Sequence, residues 1–420
     1  MMFNINKIIS NTSISEKFIF LLVSLLPLSA VIGNLLINLT FILLFIIFIA
    51  DMAFNKNYLF LKDITLWIVV FFFLTLLINL YFSMDRANSL PRILKILLMI
   101  TFTIQLKQII QKHPITFEKI IFTSWSIILS VVLADVLFEI IFGFNIFGIK
   151  SIYPGRISSF FGEEHIVGAF FLGIGIFYIS HISVLLKKYK KLLIGMILIL
   201  IFISLLIGER SNFIKFFISI SILFFFIVKI NLKNISLIMV IFLISFFSLV
   251  NLNESMKYRY KTFFTESLEE EKSISIYLKN NKHIAHYDAA FKIFQEYPIF
   301  GIGVKNFRFE SANKKYQNDD LKQTMVRATT HPHQIHFEFL SETGLFGYIS
   351  FLILIITSLY LSIKNYFAFR NIFQLSSIIY IVTFMIPLLP SGSFFSTFTS
   401  AFFWINYAIM MAYNKNNIFR

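Results

Sequence analysis

Cysteine is absent from this chain of 420 residues. Its absence excludes disulfide bonds, cysteine-ligated zinc and a thiol nucleophile. Charged residues are also scarce, at 14% of the chain, while 57% of the residues are hydrophobic. A soluble globular domain is about 25% charged and about 45–50% apolar. The composition therefore excludes an ordinary soluble domain and favours a protein with many membrane-spanning helices.

Acidic residues are fewer than basic ones, 22 against 37, which gives a formal net charge of +15. A basic balance is typical of nucleic-acid binding, but here the basic residues stand mostly in short connections between apolar runs. In such connections lysine and arginine set the orientation of a membrane protein. We therefore expect membrane lipids, and no nucleic acid, as partners. Phenylalanine, present 55 times against 15 glycines, is interpreted as bulk that faces lipid.

Apolar runs near the roughly 20 residues that cross a bilayer recur along the whole chain. We predict an all-α polytopic membrane protein with about twelve transmembrane helices and one long extracytoplasmic loop carrying short helices. The predicted spans lie near residues 18–34, 36–54, 64–82, 91–107, 119–142, 166–186, 191–207, 212–230, 234–252, 337–362, 372–389 and 395–413. Helices 1 to 9 of this prediction occupy residues 1–252, the loop 253–336 and helices 10 to 12 residues 337–420, all as one integrated domain.

The loop charges predict an orientation. Lysines dominate the connections that are inside when the N-terminus is cytoplasmic, and this asymmetry places both termini in the cytoplasm. The short outer connections hold Arg86, Arg92, Lys150, Arg156 and Arg210. Arginine binds phosphate oxygens in pairs through its planar fork, whereas lysine is a diffuse charge. The prevalence of arginine on the outer side therefore suggests a phosphate ligand there.

Two of these arginines stand out. Arg210 follows Gly208 and Glu209 in a tight turn between two apolar spans. It is either a turn residue paired with Glu209 or a phosphate ligand, and Lys215, about one turn further on, would add charge on the same side. Arg156 follows the turn at 153–155 and is a second candidate ligand.

The long polar segment 253–333 is the most informative part of the chain, because loops of this length without a function are uncommon. A basic cluster at its start includes Arg259. Further along, Ile284, Tyr287, Phe291 and Phe294 have the spacing of one apolar helix face. This helix is predicted to rest on the membrane surface or to cover a cavity.

The segment ends in His331-Pro332-His333-Gln334 at the entrance of the next span. These histidines, with His336, could form a metal site, or one of them could be a structural histidine. His336 should point elsewhere once the helix starts, so we expect no metal and no cofactor. Acid–base or ligand-orienting work by His333, with His331 beside it, is favoured because histidine titrates near neutral pH.

Taken together, HPHQ…SETGLFG (331–347) resembles the His-x-His-Asn…Glu-x-Gly-x-x-Gly motif of the O-antigen ligase and O-antigen polymerase family. The segments EYPIFGIGVKNF (296–307) and GERS (208–211) resemble two further motifs of that family. Arg210 and His333 occupy matching positions. An arginine commonly precedes the loop helix in the family, whereas this chain has Lys282. Either Lys282 substitutes for it, or Arg259 or Arg327 does.

The resemblance implies an integral-membrane glycosyltransferase in the bacterial inner membrane, with its active site facing the periplasm. Such enzymes move a glycan from an undecaprenyl diphosphate carrier without a nucleotide sugar or a required metal. The acceptor is lipid A–core for a ligase and a second lipid-linked glycan for a polymerase. Ligase-type transfer is favoured; polymerisation, protein glycosylation and, in a different class, a transporter or flippase of the same glycan remain alternatives. We expect Arg210 and His333 to converge in one pocket open to the extracytoplasmic leaflet.

Overall fold

The computed structural model describes residues 12–55, 58–228, 243–251, 254–262, 281–316 and 328–414, with positions 245 and 249 left out. All the regular structure in this part of the chain is helical. The all-α prediction is therefore confirmed for the described residues. Arg327 and most of the predicted span at 234–252 lie outside them.

The chain divides into two compact units. The first unit comprises Met1–Trp125 with Asn280–Arg420, and the second comprises Ser126–Lys279. Helices of the first unit are α1 (Ile14–Ser24), α2 (Leu26–Ile32), α3 (Asn34–Asn55), α4 (Ile64–Phe82) and α5 (Arg86–Lys112). Helix α6 (Pro114–Phe142) begins in the first unit and ends in the second, which also contains α7 (Val167–Leu185), α8 (Lys190–Leu206) and α9 (Arg210–Ile227). The first unit resumes with α10 (Lys282–Glu296), α11 (Ile335–Phe369), α12 (Ile372–Phe384) and α13 (Thr397–Ala412).

Seven of the described helices are long and apolar enough to cross a membrane, or eight if the bent pair α1–α2 counts as one span. They are α3, α4, α5, α6, α7, α9 and α11. Helices also occur at three further predicted spans, as α8, α12 and α13. The chain is a multi-pass membrane protein, and the count of about twelve spans stays a prediction.

Phenylalanine builds the core of the first unit rather than only facing lipid. Phe72, Phe339, Phe351 and Phe394 are fully buried. The rings of Phe339 and Phe351 stack with centroids 4.1 Å apart. Large rings fill the space between α4 and α11, where an offset stacked pair adds about 0.5–1.5 kcal/mol beyond its buried area. The expectation that phenylalanine serves as lipid-facing bulk is wrong for these residues.

Helix α11 is broken at Gly344, which adopts φ 63° and ψ −168°. The break exposes backbone groups that a continuous helix would pair internally. The segment 298–303 lies alongside and satisfies four of them through Leu345 N to Pro298 O (2.8 Å), Phe346 N to Ile299 O (3.0 Å), Ile302 N to Ser341 O (3.1 Å) and Gly303 N to Glu342 O (2.8 Å). Asn79 of α4 donates to Phe300 O at 2.6 Å and to Glu342 O at 3.1 Å. The EYPIFGIG and SETGLFG segments are therefore two halves of one hydrogen-bonded joint.

Helix α10 exists where the hydrophobic spacing predicts it, and its buried face matches the predicted one in part. Tyr287 is buried as predicted, whereas Phe291 is 45% exposed, and His286, Ala289 and Ile293 are buried as well. Alanine lets α10 pack closely against α11, and this packing shifts the buried face towards the alanines.

In the second unit, α7 and α9 approach each other closely. A Cβ atom at Gly175 would lie 3.0 Å from the ring of Phe216, and one at Gly168 would lie 2.9 Å from the carboxylate of Glu209. Small residues at a helix interface allow such an approach in membrane proteins. The packing fixes the N-terminus of α9, where Arg210 begins the helix.

Candidate functional site

The turn between α8 and α9 is joined to the segment that carries Arg156. Gly208 adopts φ +79°, and a Cβ atom there would overlap the carbonyl oxygen of Gly155. Ile157 N donates to Ile207 O at 3.1 Å. Only glycine fits this left-handed, tightly packed position. The joint holds Arg156 and Arg210 in one neighbourhood of the second unit.

Arg259 completes what we call the arginine cluster, Arg156, Arg210 and Arg259. Its guanidinium donates a 2.6 Å hydrogen bond to Gly208 O. Burial, together with the charges of Arg156 and Arg210, lowers the pKa of Arg259 to about 10, so it remains protonated at neutral pH. Lys215 is buried within α9, at 2% exposure.

Glu209 is the acidic residue of this neighbourhood, and both of its carboxylate oxygens accept hydrogen bonds from helix residues. One accepts from Gly168 N at 2.8 Å and the other from the Asn212 amide at 2.6 Å. Burial raises the pKa of Glu209 to about 7, although Arg156 and Arg259 oppose the shift. A carboxyl that is only partly ionised near neutral pH neutralises little of the charge of three guanidinium groups.

His165 belongs to the same neighbourhood, although the sequence pattern did not mark it as a site residue. Its ring lies edge-on to Tyr153, with centroids 4.8 Å apart. Burial, then the charges of Arg156 and Arg259, lower its pKa, so the ring is neutral. Within the described part of the chain, neither ring nitrogen of His165 nor Nε of Arg156 has a hydrogen-bond partner. Arg156 and Tyr153 line a cavity of about 220 Å³.

The first unit holds a second group of polar residues, which we call the histidine cluster: His283, His286, His331 and His333. The ring centroid of His333 lies 4.0 Å from the ring centroid of His331, 5.1 Å from that of His286 and 5.7 Å from that of His283. His333 adopts φ +59°, and its carbonyl accepts from Ser391 N at 2.7 Å. Histidine tolerates this left-handed backbone better than most residues. The turn that starts α11 therefore projects His333 towards α10.

Positive neighbours and burial keep His333 neutral. Burial, then His286, His283, Lys282 and Lys305, lower the pKa of His333 to about 3. Burial and the neighbouring His333 and Lys305 lower the pKa of His331 well below its usual value. Both rings therefore present unprotonated nitrogens at neutral pH, and both can accept a proton.

Lys282 lies beside His333 in the first unit, and Arg259 lies with Arg156 and Arg210 in the second. Of the two candidate substitutes for the family's loop arginine that the structure describes, Arg259 is the one that lies with Arg156 and Arg210. Lys282 contributes charge to the histidine cluster instead.

The remaining residues of the histidine motif have structural partners. His336 hydrogen-bonds the Tyr348 hydroxyl and Met385 O, each at 2.9 Å, so it points away as expected. Gln334 caps α11 by accepting from Phe337 N at 3.0 Å. Among the described residues, no three histidine, aspartate or glutamate side chains are arranged to hold a metal ion.

Sequence reasoning missed the buried charges beneath the histidine cluster. Lys305, 3% exposed, donates to the Ser393 hydroxyl, which in turn donates to Glu338. The other oxygen of Glu338 accepts from Phe394 N at 2.7 Å, and Glu342 accepts from Lys305 N at 2.7 Å. The available signal was two glutamates four residues apart at the start of an otherwise apolar span, because such residues rarely enter a membrane segment without a function.

Multiple long apolar helices and two clusters of polar residues at their ends define the class, a polytopic membrane protein with a candidate catalytic site. Residues 195–352 match the family model described as O-antigen ligase, so this segment of the chain is similar to that family. The matched stretch includes Arg210, Arg259 and the histidine cluster, whereas Arg156 and His165 precede it. No curated protein matches the chain.

Proposed function

We propose that this protein is a membrane glycosyltransferase that moves a glycan from an undecaprenyl diphosphate carrier to lipid A–core at the periplasmic face of the bacterial inner membrane. The family match over residues 195–352 supports the reaction class. The observation that carries the proposal is the position of Arg259, bonded to Gly208 O at 2.6 Å and repelled by both Arg156 and Arg210. Arg259, held beside two other guanidinium groups, is stabilised best by a ligand with several negative charges.

A diphosphate is such a ligand, and it is also the leaving group of the proposed reaction. When the bond between the anomeric carbon of the glycan and the diphosphate oxygen breaks, the electron pair stays on that oxygen. Preorganised guanidinium groups stabilise the developing charge, and such electrostatic effects are usually the largest contribution to catalysis. The arginine cluster thus binds the donor and helps the carrier to depart.

His333 is the proposed proton acceptor for the acceptor hydroxyl. The hydroxyl oxygen forms a bond to the anomeric carbon as the carrier leaves, and its proton passes to a ring nitrogen of His333. With its pKa lowered to about 3 by burial and the neighbouring positive charges, the ring is a weak base. It therefore accepts the proton late, once bond formation has made the hydroxyl acidic. Release of this proton to solvent or to the departing diphosphate restores the neutral ring.

Transfer requires the donor held by the arginine cluster to reach the acceptor held by the histidine cluster. The convergence of Arg210 and His333 stays a prediction. The same chemistry serves an O-antigen polymerase, in which the acceptor is a second carrier-linked glycan. A transporter or flippase of the lipid-linked glycan is the alternative from another class.

The experiment compares Arg210→Gln and His333→Gln with wild type, using protein reconstituted with carrier-linked glycan and lipid A–core. Lys261→Gln is the control, since Lys261 is an exposed cation two residues from Arg259. We expect loss of glycan attachment in the two site variants and wild-type attachment in the control. A single added repeat on carrier-linked product would indicate a polymerase. Wild-type transfer by both site variants would refute the catalytic assignment, and a defect confined to intact vesicles would indicate transport.

A further inference from the structure

Two ammonium groups of the first unit are anchored on one short segment of chain. Lys95 of α5 donates to the Thr397 hydroxyl at 2.7 Å, and Lys305 donates to the Ser393 hydroxyl. Ser396 N donates to Ser393 O at 3.1 Å, which brings these two hydroxyls together at the N-terminus of α13. The charges of Arg92 and Lys305 act on Lys95, so the three cations are neighbours.

The carboxylates in this region compensate Lys305 but not Lys95 or Arg92. Among the described residues, Glu338 lies 3.9 Å from the Lys305 ammonium, and no carboxylate lies within ion-pair distance of Lys95 or Arg92. Both oxygens of Glu338 accept hydrogen bonds from Ser393 and Phe394 N, and Glu342 accepts one from Lys305 N. Lys95 and Arg92 are half-buried, and a partly buried cation without a paired carboxylate favours an anion.

His331 has a buried ring nitrogen in the neighbourhood of Lys305. Its Nδ1 is 3.0 Å from the Thr330 hydroxyl. With Thr330 donating to Nδ1, the proton of the neutral ring lies on Nε2. In the described structure Nε2 is buried and forms no hydrogen bond of ordinary geometry, although the Ser391 backbone lies close enough to act on the ring. The charge of Lys305 also acts on this ring, so the two groups are near each other. A buried N–H without a well-formed hydrogen bond favours an additional acceptor such as an anion.

We infer that the first unit has its own phosphate subsite, formed by Lys95, Lys305 and His331, which binds a phosphate group carried by the acceptor. The inference rests on the proposed function, because it assigns the donor diphosphate to the arginine cluster. His331 and His333 have ring centroids 4.0 Å apart. A phosphate at this subsite therefore places the acceptor beside the proposed base. Its negative charge also offsets the cations that now suppress the basicity of His333.

The test is pyrophosphate binding by the full chain in nanodiscs of zwitterionic phosphatidylcholine, measured by calorimetry. We expect two classes of site in wild type. Lys95→Gln should weaken one class about tenfold, since it removes a charge-assisted contact. Arg210→Gln should weaken the other class. Lys95→Arg, which keeps the charge, should bind as wild type does, and Lys314→Gln, an exposed cation of the same unit, is the matched control.

The outcomes distinguish an acceptor phosphate subsite from a lipid-headgroup site and from the absence of a site. An unchanged titration for folded Lys95→Gln, with all loss confined to Arg210→Gln, overturns the subsite. If anionic phosphatidylglycerol in the disc abolishes the Lys95-dependent class, a membrane lipid headgroup is the ligand and the acceptor assignment is wrong. In transfer assays, Lys95→Gln should raise the acceptor KM about tenfold and leave the donor KM unchanged. If His333→Gln retains transfer while Lys95→Gln loses one class of pyrophosphate site, the proposed function is refuted but the anion site remains supported.

Discussion

Arg259 and Gly208, 51 positions apart in the chain, are joined by a 2.6 Å hydrogen bond from the guanidinium to the backbone carbonyl. The bond occupies one N–H of the arginine fork and fixes its plane at the turn that starts α9. Nε of Arg259 has no hydrogen-bond partner within the described residues. Arg259 is thus positioned by the backbone while donors remain for a ligand.

Replacement of Arg259 by lysine should retain a positive charge but lose the planar fork. We expect transfer to fall about tenfold in Arg259→Lys and about 100-fold in Arg259→Gln, in line with removal of one preorganised donor from a developing anion. Initial rates with carrier-linked glycan measure the effect. Lys257→Gln is the control, because Lys257 pairs with Glu254 at 3.5 Å on the protein surface. A wild-type rate for Arg259→Gln would contradict the prediction.

Replacement of Gly344 by alanine should destabilise the joint between α11 and the segment 298–303. A Cβ atom there would overlap the carbonyl of Ile299, and φ is +63°. The left-handed backbone alone costs an L-residue about 1–2 kcal/mol. Thermal unfolding in detergent should show a lower midpoint. Gly195→Ala is the control, since no atom lies within 4 Å of its added Cβ, and it should be neutral or stabilising because alanine favours helix.

The Lys305–Glu338 pair gives a prediction about coupling. Lys305→Met leaves a carboxylate at 1% exposure without its ammonium neighbour, and breaking a buried pair from one side costs about 3–5 kcal/mol. Lys305→Met combined with Glu338→Leu should recover part of this loss, because the carboxylate left without its ammonium is removed, while Glu342 keeps the hydrogen bond from the backbone amide of position 305. Denaturant unfolding of the singles and the double closes the cycle. A double variant less stable than Lys305→Met would show that the pair is not coupled in this way.

The histidine cluster predicts a pH dependence of stability. His333 has a pKa near 3 in the folded protein, against about 6.5 when unfolded. Between these values the unfolded chain binds more protons, so stability falls as the pH drops below about 6.5, by at most about 1.4 kcal/mol per pH unit for each such histidine. The groups facing His333 are His283, His286, His331, Lys282 and Lys305. Unfolding midpoints from pH 7 to pH 5 should decline less in His333→Gln; an identical slope would be evidence against the assignment.

Most of the helices could be predicted from the apolar runs that recur along the sequence. Apolar runs predict helices because every backbone group in lipid must be paired within its own segment. The motif residues Arg210 and His333 could be selected because arginine and histidine are the usual groups for phosphate binding and proton transfer. The departure of His336 from the cluster also followed, from the start of the helix after Pro332.

Other features depend on contacts that local patterns do not encode. The association of Arg259 with Gly208, of His286 with His333, and of Lys305 with Glu338 joins positions remote in sequence. The buried face of α10 includes Tyr287 of the predicted face, but its shift towards Ala289 and Ile293 follows from packing against α11. The role of Gly344 is visible only once segment 298–303 lies beside it, since the sequence marks a glycine but not its partner.

The joint at Gly344 has a consequence for biogenesis. Until residues 298–303 dock, the amides of Leu345 and Phe346 at the break lack the carbonyls that accept from them in the finished protein. Unpaired amides are strongly disfavoured in hydrocarbon. The break in the span and the native form of the preceding loop must therefore arise together, after the inserting machinery has delivered both α4 and α11. We therefore expect the joint to form late and cooperatively, and a nascent chain truncated before Gly344 should lack it.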